Sequence, residues 1–168
     1  MDAPCVVRLL SRSVAQTSAA AACVARHLGP GDVVALTGEL GAGKTRFVEG
    51  ACRALGYGGR VRSPSYTLLN IYRAALTVHH LDLYRWEAAG AELEAAEWEE
   101  LMDGSGVVFV EWAERLGPRL PTRAVRVFLE HAGEQERRLR IEVPSGRADG
   151  LARALAELAE ASVAEGLA

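Results

Sequence analysis

A chain of 168 residues, 49% hydrophobic and 24% charged, has the make-up of a globular domain, not of a disordered or fibrous one. Its net charge of -3 excludes a generally basic, nucleic-acid-coating surface, although it leaves room for a local patch. No apolar stretch is long and uncharged enough to span a bilayer.

In chain order, Val6 to Leu10 reads as a strand. Ser13 to Leu28 reads as a helix, with Ser13 as N-cap and Gln16 placed for a capping box. Gly29-Pro30-Gly31-Asp32 is a turn cluster, and Val33 to Thr37 is the short apolar run of a buried strand. A glycine-rich loop and a helix from about Thr45 to Leu55 follow, with Gly56 placed to end that helix. After a loop through Ser63-Pro64, Tyr66 to Tyr72 and Thr77 to Leu81 read as a hairpin turning at Arg73 to Leu76. Glu87 to Met102 reads as a glutamate-rich helix, broken near Gly90, and Asp103 to Gly106 as a turn. Val107 to Val110 is a second apolar strand ending at Glu111, and Leu120-Pro121 starts a connection. Val125 to Glu130 and Leu139 to Val143 alternate as a hairpin around Gly133, and a last amphipathic helix covers about 149–164.

With no repeat and no long linker, the chain is expected to form one domain over residues 1–168. Apolar strands alternating with helices predict an α/β fold, with helices on both faces of a mixed, mostly parallel sheet.

Gly38-Glu39-Leu40-Gly41-Ala42-Gly43-Lys44-Thr45 matches G-x-x-x-x-G-K-[ST], the phosphate-binding P-loop pattern. Glycines let successive N–H groups turn inward toward phosphate oxygens, and the following helix points its positive end at the same place. Lys44 reaches the β- and γ-phosphates, and Thr45 offers a hydroxyl to magnesium. The chain has 19 Lys and Arg residues, and Lys44 is its only lysine. A compact ammonium enters a phosphate cradle where a planar guanidinium fits poorly.

A magnesium-nucleotide site also needs a carboxylate at a neighbouring strand end. Asp82 and Glu111 are the two candidates, and an antiparallel strand before Asp82 would favour Glu111. Ser63-Pro64-Ser65-Tyr66-Thr67 reads equally as a γ-phosphate-sensing loop or as a turn set by Pro64. His79, His80, Trp86, Trp98 and Trp112 read as packing residues. Arg137, Arg138 and Arg140 read as solvated charge. Cys5, Cys23 and Cys52 form no metal-ligand spacing. Their odd number, with no secretory signal ahead of them, leads us to expect reduced thiols and a cytoplasmic location.

The P-loop, then Ser63-Pro64-Ser65-Tyr66-Thr67-Leu68, Leu81-Asp82-Leu83-Tyr84-Arg85 and Val110-Glu111-Trp112 resemble the TsaE (YjeE) family over roughly residues 6–145. The first block is generic to P-loop proteins; the second and third together make the likeness specific. The resemblance implies a small bacterial Mg2+-dependent ATPase with a P-loop NTPase-like fold. It would be required for threonylcarbamoyladenosine beside the anticodon of tRNAs that read codons beginning with A. The partners it implies are TsaD and TsaB, with tRNA met indirectly through that complex and ATP spent on resetting it.

Carried over by position, the resemblance implies that Gly38 to Arg46 would bind ATP, Lys44 would bind phosphate, and Thr45 and Glu111 would hold Mg2+. Asp82 would act in hydrolysis or beside the metal's ligands, and Thr67 would lie in a switch-like loop. Arg46 stands where the family usually has a second hydroxyl residue, Ser65 where threonine is commoner, and Ala113 where proline is frequent. Two other readings stay open: a P-loop kinase of a small metabolite, although no clear arginine lid is present, and a GTPase-type switch, although the usual N-K-x-D guanine reader is absent.

Overall fold

The computed structural model describes residues 3–86, 95–102 and 104–165. In chain order the elements are β1 (Cys5–Ser11), α1 (Val14–Ala25), β2 (Val33–Thr37), α2 (Lys44–Ala54), β3 (Leu69–Tyr72) and β4 (Val78–Asp82). There follow α3 (Ala95–Leu101), β5 (Val107–Glu111), a 3-10 segment (Ala113–Arg119), β6 (Val125–His131), β7 (Arg137–Val143) and α4 (Arg153–Glu165).

Local chemistry explains the helix ends. Ser13 caps α1 by accepting from Gln16 N at 3.2 Å, and Gln16 reaches back to Arg12 N at 2.7 Å, one residue before the cap. Past α2, Gly56 adopts a left-handed φ of 89°. That conformation lets Gly56 N reach Arg53 O at 3.0 Å and Tyr57 N reach Cys52 O at 2.9 Å, the two bonds of a Schellman ending.

The strands join one sheet in the order β1-β7-β6-β2-β5-β4-β3. β6, β2, β5 and β4 pair in parallel. β1–β7, β7–β6 and β4–β3 pair antiparallel. β1 therefore runs with β6, so the sheet is mixed and mostly parallel in direction, as expected.

Both faces of the central strands are covered, which is why β2 and β5 read as continuous apolar runs. Val34, Leu36 and Phe109 pack with α1, α2 and Leu155 of α4. Val33, Ala35, Val108 and Val110 pack with Trp98 and Leu101 of α3 and with Ala113 and Leu116 of the 3-10 segment.

One expectation changes, one element was not anticipated, and one expectation is covered only in part. Tyr66 to Leu68 is not strand: Thr67 N (3.0 Å) and Leu68 N (2.6 Å) both turn back to Pro64 O, and Leu68 sits at a left-handed φ of 69°. A chain folded back on Pro64 cannot also run extended, so β3 begins at Leu69. The 3-10 segment was not anticipated, because Gly117-Pro118 breaks the helical pattern; Gly117 indeed divides it, at φ 51° and ψ -124°. Of the helix expected over Glu87 to Met102, α3 covers Ala95–Leu101, whereas 87–94, with the expected break at Gly90, and Asp103 lie outside the described residues.

Candidate functional site

β2 delivers the chain into the P-loop, and α2 carries it away. Gly43 makes the junction in a left-handed conformation, with φ 106° and ψ 17°, as the N-cap of α2. Gly38 lies against β6, and any Cβ there would run into Leu129 O. Arg137 braces the loop from β7, donating to Ala42 O at 3.1 Å and Gly41 O at 3.3 Å. The solvated reading of Arg137 is thereby corrected: its guanidinium holds two P-loop carbonyls in place.

Lys44 is buried, with 4% of its surface exposed. Its Nζ donates to Gly38 O at 2.5 Å and Glu39 O at 2.9 Å, and lies 3.9 Å over the Trp112 ring. Desolvation lowers its pKa, and the negative charges of Glu111, Glu114 and Asp82 oppose that shift.

Glu111 and Asp82 face each other in register at the carboxyl ends of β5 and β4. β4 is parallel to β5, so strand direction does not separate them; their partners do. Thr45 Oγ1 donates to Glu111 Oε1 at 2.7 Å, and His80 Nε2 lies 2.8 Å from the same oxygen. Asp82 instead accepts from the Ser63 hydroxyl and, at 2.8 Å, from Tyr84 N. Both acids are buried, at 3% and 4% exposure.

These groups open into a cavity of about 430 Å³ whose lining takes in every motif. Leu40, Gly41, Gly43, Lys44, Thr45 and Arg46 come from the P-loop region; Ser63, Ser65 and Tyr66 from the following loop; Asp82, Tyr84 and Arg85 from the end of β4 and just past it; and Glu111 and Trp112 from the end of β5 and the residue after it. Arg46 also pairs with Glu49 at 2.8 Å. Trp112 holds a left-handed φ of 57°, and its ring meets Tyr84 at 5.1 Å between centroids. Such a conformation in a bulky residue is a cost that packing must over-determine, and it is found preferentially at functional sites.

Gly38, Glu39 and Ala42 belong to the loop but do not line this cavity; Gly38 and Glu39 border a second one, of about 450 Å³, with Thr37 and Phe128 to His131. Thr67 is exposed and outside the first cavity, its hydroxyl 3.4 Å from Asn70 Oδ1. Sequence reasoning quoted Ser63 and Tyr84 within motifs but gave neither an individual role, and it read Arg137 as solvated charge and His80 as packing. The i, i+2 spacing of His80 and Asp82 on one strand was the available signal for His80, since it puts both on one face.

A buried strand, a glycine loop, a helix beginning at its lysine and two acids on adjacent parallel strands define a P-loop NTPase-like fold. Residues 11–139 match the family model described as threonylcarbamoyl adenosine biosynthesis protein TsaE, and the chain belongs to the TsaE family. It is 37% identical over 125 residues to the tRNA threonylcarbamoyladenosine biosynthesis protein TsaE of Bacillus subtilis, covering 74% of this chain and 77% of that protein. The protein of the same name from Treponema pallidum is 36% identical over 135 residues, 80% of this chain and 99% of the other. The crystal structure of Bacillus subtilis YdiB superposes with a TM-score of 0.77 at 29% identity, covering 94% of this chain and 98% of that one.

Proposed function

We propose that this protein is a Mg2+-dependent ATPase serving tRNA threonylcarbamoyladenosine biosynthesis, working on TsaD and TsaB and meeting tRNA through them. The observation that carries the ATPase reading is the 2.7 Å contact from Thr45 Oγ1 to Glu111 Oε1, which joins the P-loop hydroxyl to a strand-end acid 66 residues away. The pathway is supported by the names of the relatives at 36–37% identity.

The donors fit a small, hard cation, since a hydroxyl and a carboxylate oxygen already converge. Among the described residues no three His, Cys, Asp or Glu side chains form a metal cage. Mg2+ held by Thr45 and Glu111 would therefore take its other ligands from phosphate and water, and when bound it neutralises charge on the β- and γ-phosphates.

The chain's own groups do the rest. P-loop amides bind the phosphates. Lys44 exchanges the carbonyls of Gly38 and Glu39 for phosphate oxygens, and the Trp112 face limits where its ammonium can go. Asp82 holds Ser63, and with it the following loop, over the cavity. Asp82 is the acid available to accept a proton from attacking water, but the Ser63 hydroxyl and Tyr84 N compete for its oxygens. That competition implies slow turnover by the chain alone.

Nucleotide binding and hydrolysis in wild type and Lys44→Ala, with capture of TsaD and TsaB with and without ATP, test this. Loss of binding and hydrolysis in the variant and ATP-sensitive capture are expected. Near-normal turnover in Lys44→Ala, or fast turnover by wild type without partners, refutes it.

A further inference from the structure

Outside the direct ligands, a line of buried polar groups runs from Glu111 to the loop over the cavity. His80 is fully buried, and its Nε2 lies 2.8 Å from Glu111 Oε1. A carboxylate only accepts, so Nε2 carries a hydrogen, and in the neutral ring Nδ1 offers a lone pair. That lone pair faces Tyr72 OH at 3.4 Å. Tyr72 OH in turn donates to Arg62 O at 2.9 Å and accepts from Arg62 N at 3.2 Å, with Asn70 Nδ2 3.1 Å from the same carbonyl. Burial raises the Tyr72 phenol above its usual range, so it stays an O–H donor.

The next residue along, Ser63, holds Asp82. Adjacent residues of one loop thus anchor both strand-end acids by separate routes: Ser63 directly, and Arg62 through Tyr72 and His80. The single proton of Tyr72 has two acceptors within reach, Arg62 O and His80 Nδ1; when it goes to Nδ1, Arg62 N still donates to the phenol oxygen and Asn70 Nδ2 holds Arg62 O, so the tie from loop to imidazole is continuous.

We propose that His80 is a positioning residue: it aims the Glu111 carboxylate at Thr45 and, through Tyr72, ties that carboxylate to the Arg62 backbone, so that the metal site and the Ser63 loop are held as one unit. This deepens the ATPase reading and rests on it for the role of Glu111. Partners that hold ligands in place commonly change metal affinity by 10- to 100-fold when removed.

Two readouts test it. In the first, ATP binding is followed by tryptophan fluorescence during a Mg2+ titration, each variant being referenced to its own affinity for ATP in EDTA. His80→Leu should raise the Mg2+ midpoint about tenfold or more, whereas His80→Gln, whose Nε2 can still donate to Glu111, should recover most of it. The second needs no nucleotide. Tyr72→Phe keeps the ring and removes only the hydroxyl, and trypsin should then cut after Arg60 and Arg62 about threefold to tenfold faster than in wild type. Circular dichroism checks that each variant is folded.

A folded His80→Leu with the wild-type Mg2+ midpoint, or Tyr72→Phe with the wild-type cleavage rate, overturns the proposal. A wild-type chain that binds no ATP refutes the proposed function instead, and the cleavage arm still decides whether Tyr72 holds the loop.

Discussion

Gly50 is where helix propensity and packing disagree. It lies inside α2, and replacing a mid-helix glycine by alanine is worth about 1 kcal/mol in an isolated helix. Here, however, a Cβ at position 50 would come 2.8 Å from Ser18 Cα and 3.1 Å from Ser18 O on α1. Carbon atoms settle at about 3.5–4.0 Å, so the two helices must part by roughly 0.7 Å or more. The obstacle is backbone and cannot swing aside. Overpacking of this kind costs about 1–3 kcal/mol. Set against the propensity gain, the upper part of that range leaves Gly50→Ala about 1–2 kcal/mol less stable. For a chain of this length, thermal unfolding should move down by about 2–8 °C, read by circular dichroism at 222 nm. A rise in melting temperature would show that propensity wins and that the α1–α2 contact is softer than the distances say.

Glu111→Ala should raise the Mg2+ requirement for ATP binding by about tenfold or more and exceed the effect of Asp82→Ala; the reverse order assigns the metal to Asp82. Arg137→Met frees the carbonyls of Gly41 and Ala42, and ATP affinity by calorimetry should fall about threefold to tenfold, at roughly one net hydrogen bond. An unchanged affinity would make Arg137 a bystander.

Burial, with a smaller contribution from Glu49, pushes the Cys52 thiol up to about 12, from the usual 9.0. The unfolded chain ionises this thiol first. Its contribution to stability is therefore complete below pH 9 and lost as pH rises toward 12. Urea midpoints of wild type should fall more steeply above pH 9 than those of Cys52→Ala; parallel slopes would contradict the shift.

Some of this molecule is written in short range. The P-loop occupies eight consecutive positions, the Ser13 cap spans four residues, and β2 and β5 announce themselves as apolar runs because both their faces are covered. Nearby residues misled where a turn and a strand share the same residue types: Tyr66, Thr67 and Leu68 favour strand, but Pro64 O captures two of their amides. Arg137 looked like any surface arginine on a hairpin, since nothing local says that its side chain reaches residues 95 and 96 positions earlier.

By itself, then, the amino-acid order determined the form of the P-loop, because backbone curl and a helix start depend on near neighbours alone. Tertiary structure decided which acid meets Thr45, that Thr67 stays outside the cavity, and that His80 stands behind Glu111. Those outcomes depend on the pairing of β4 with β5 and on the seating of α2 against them, and pairing is set by how two whole layers pack.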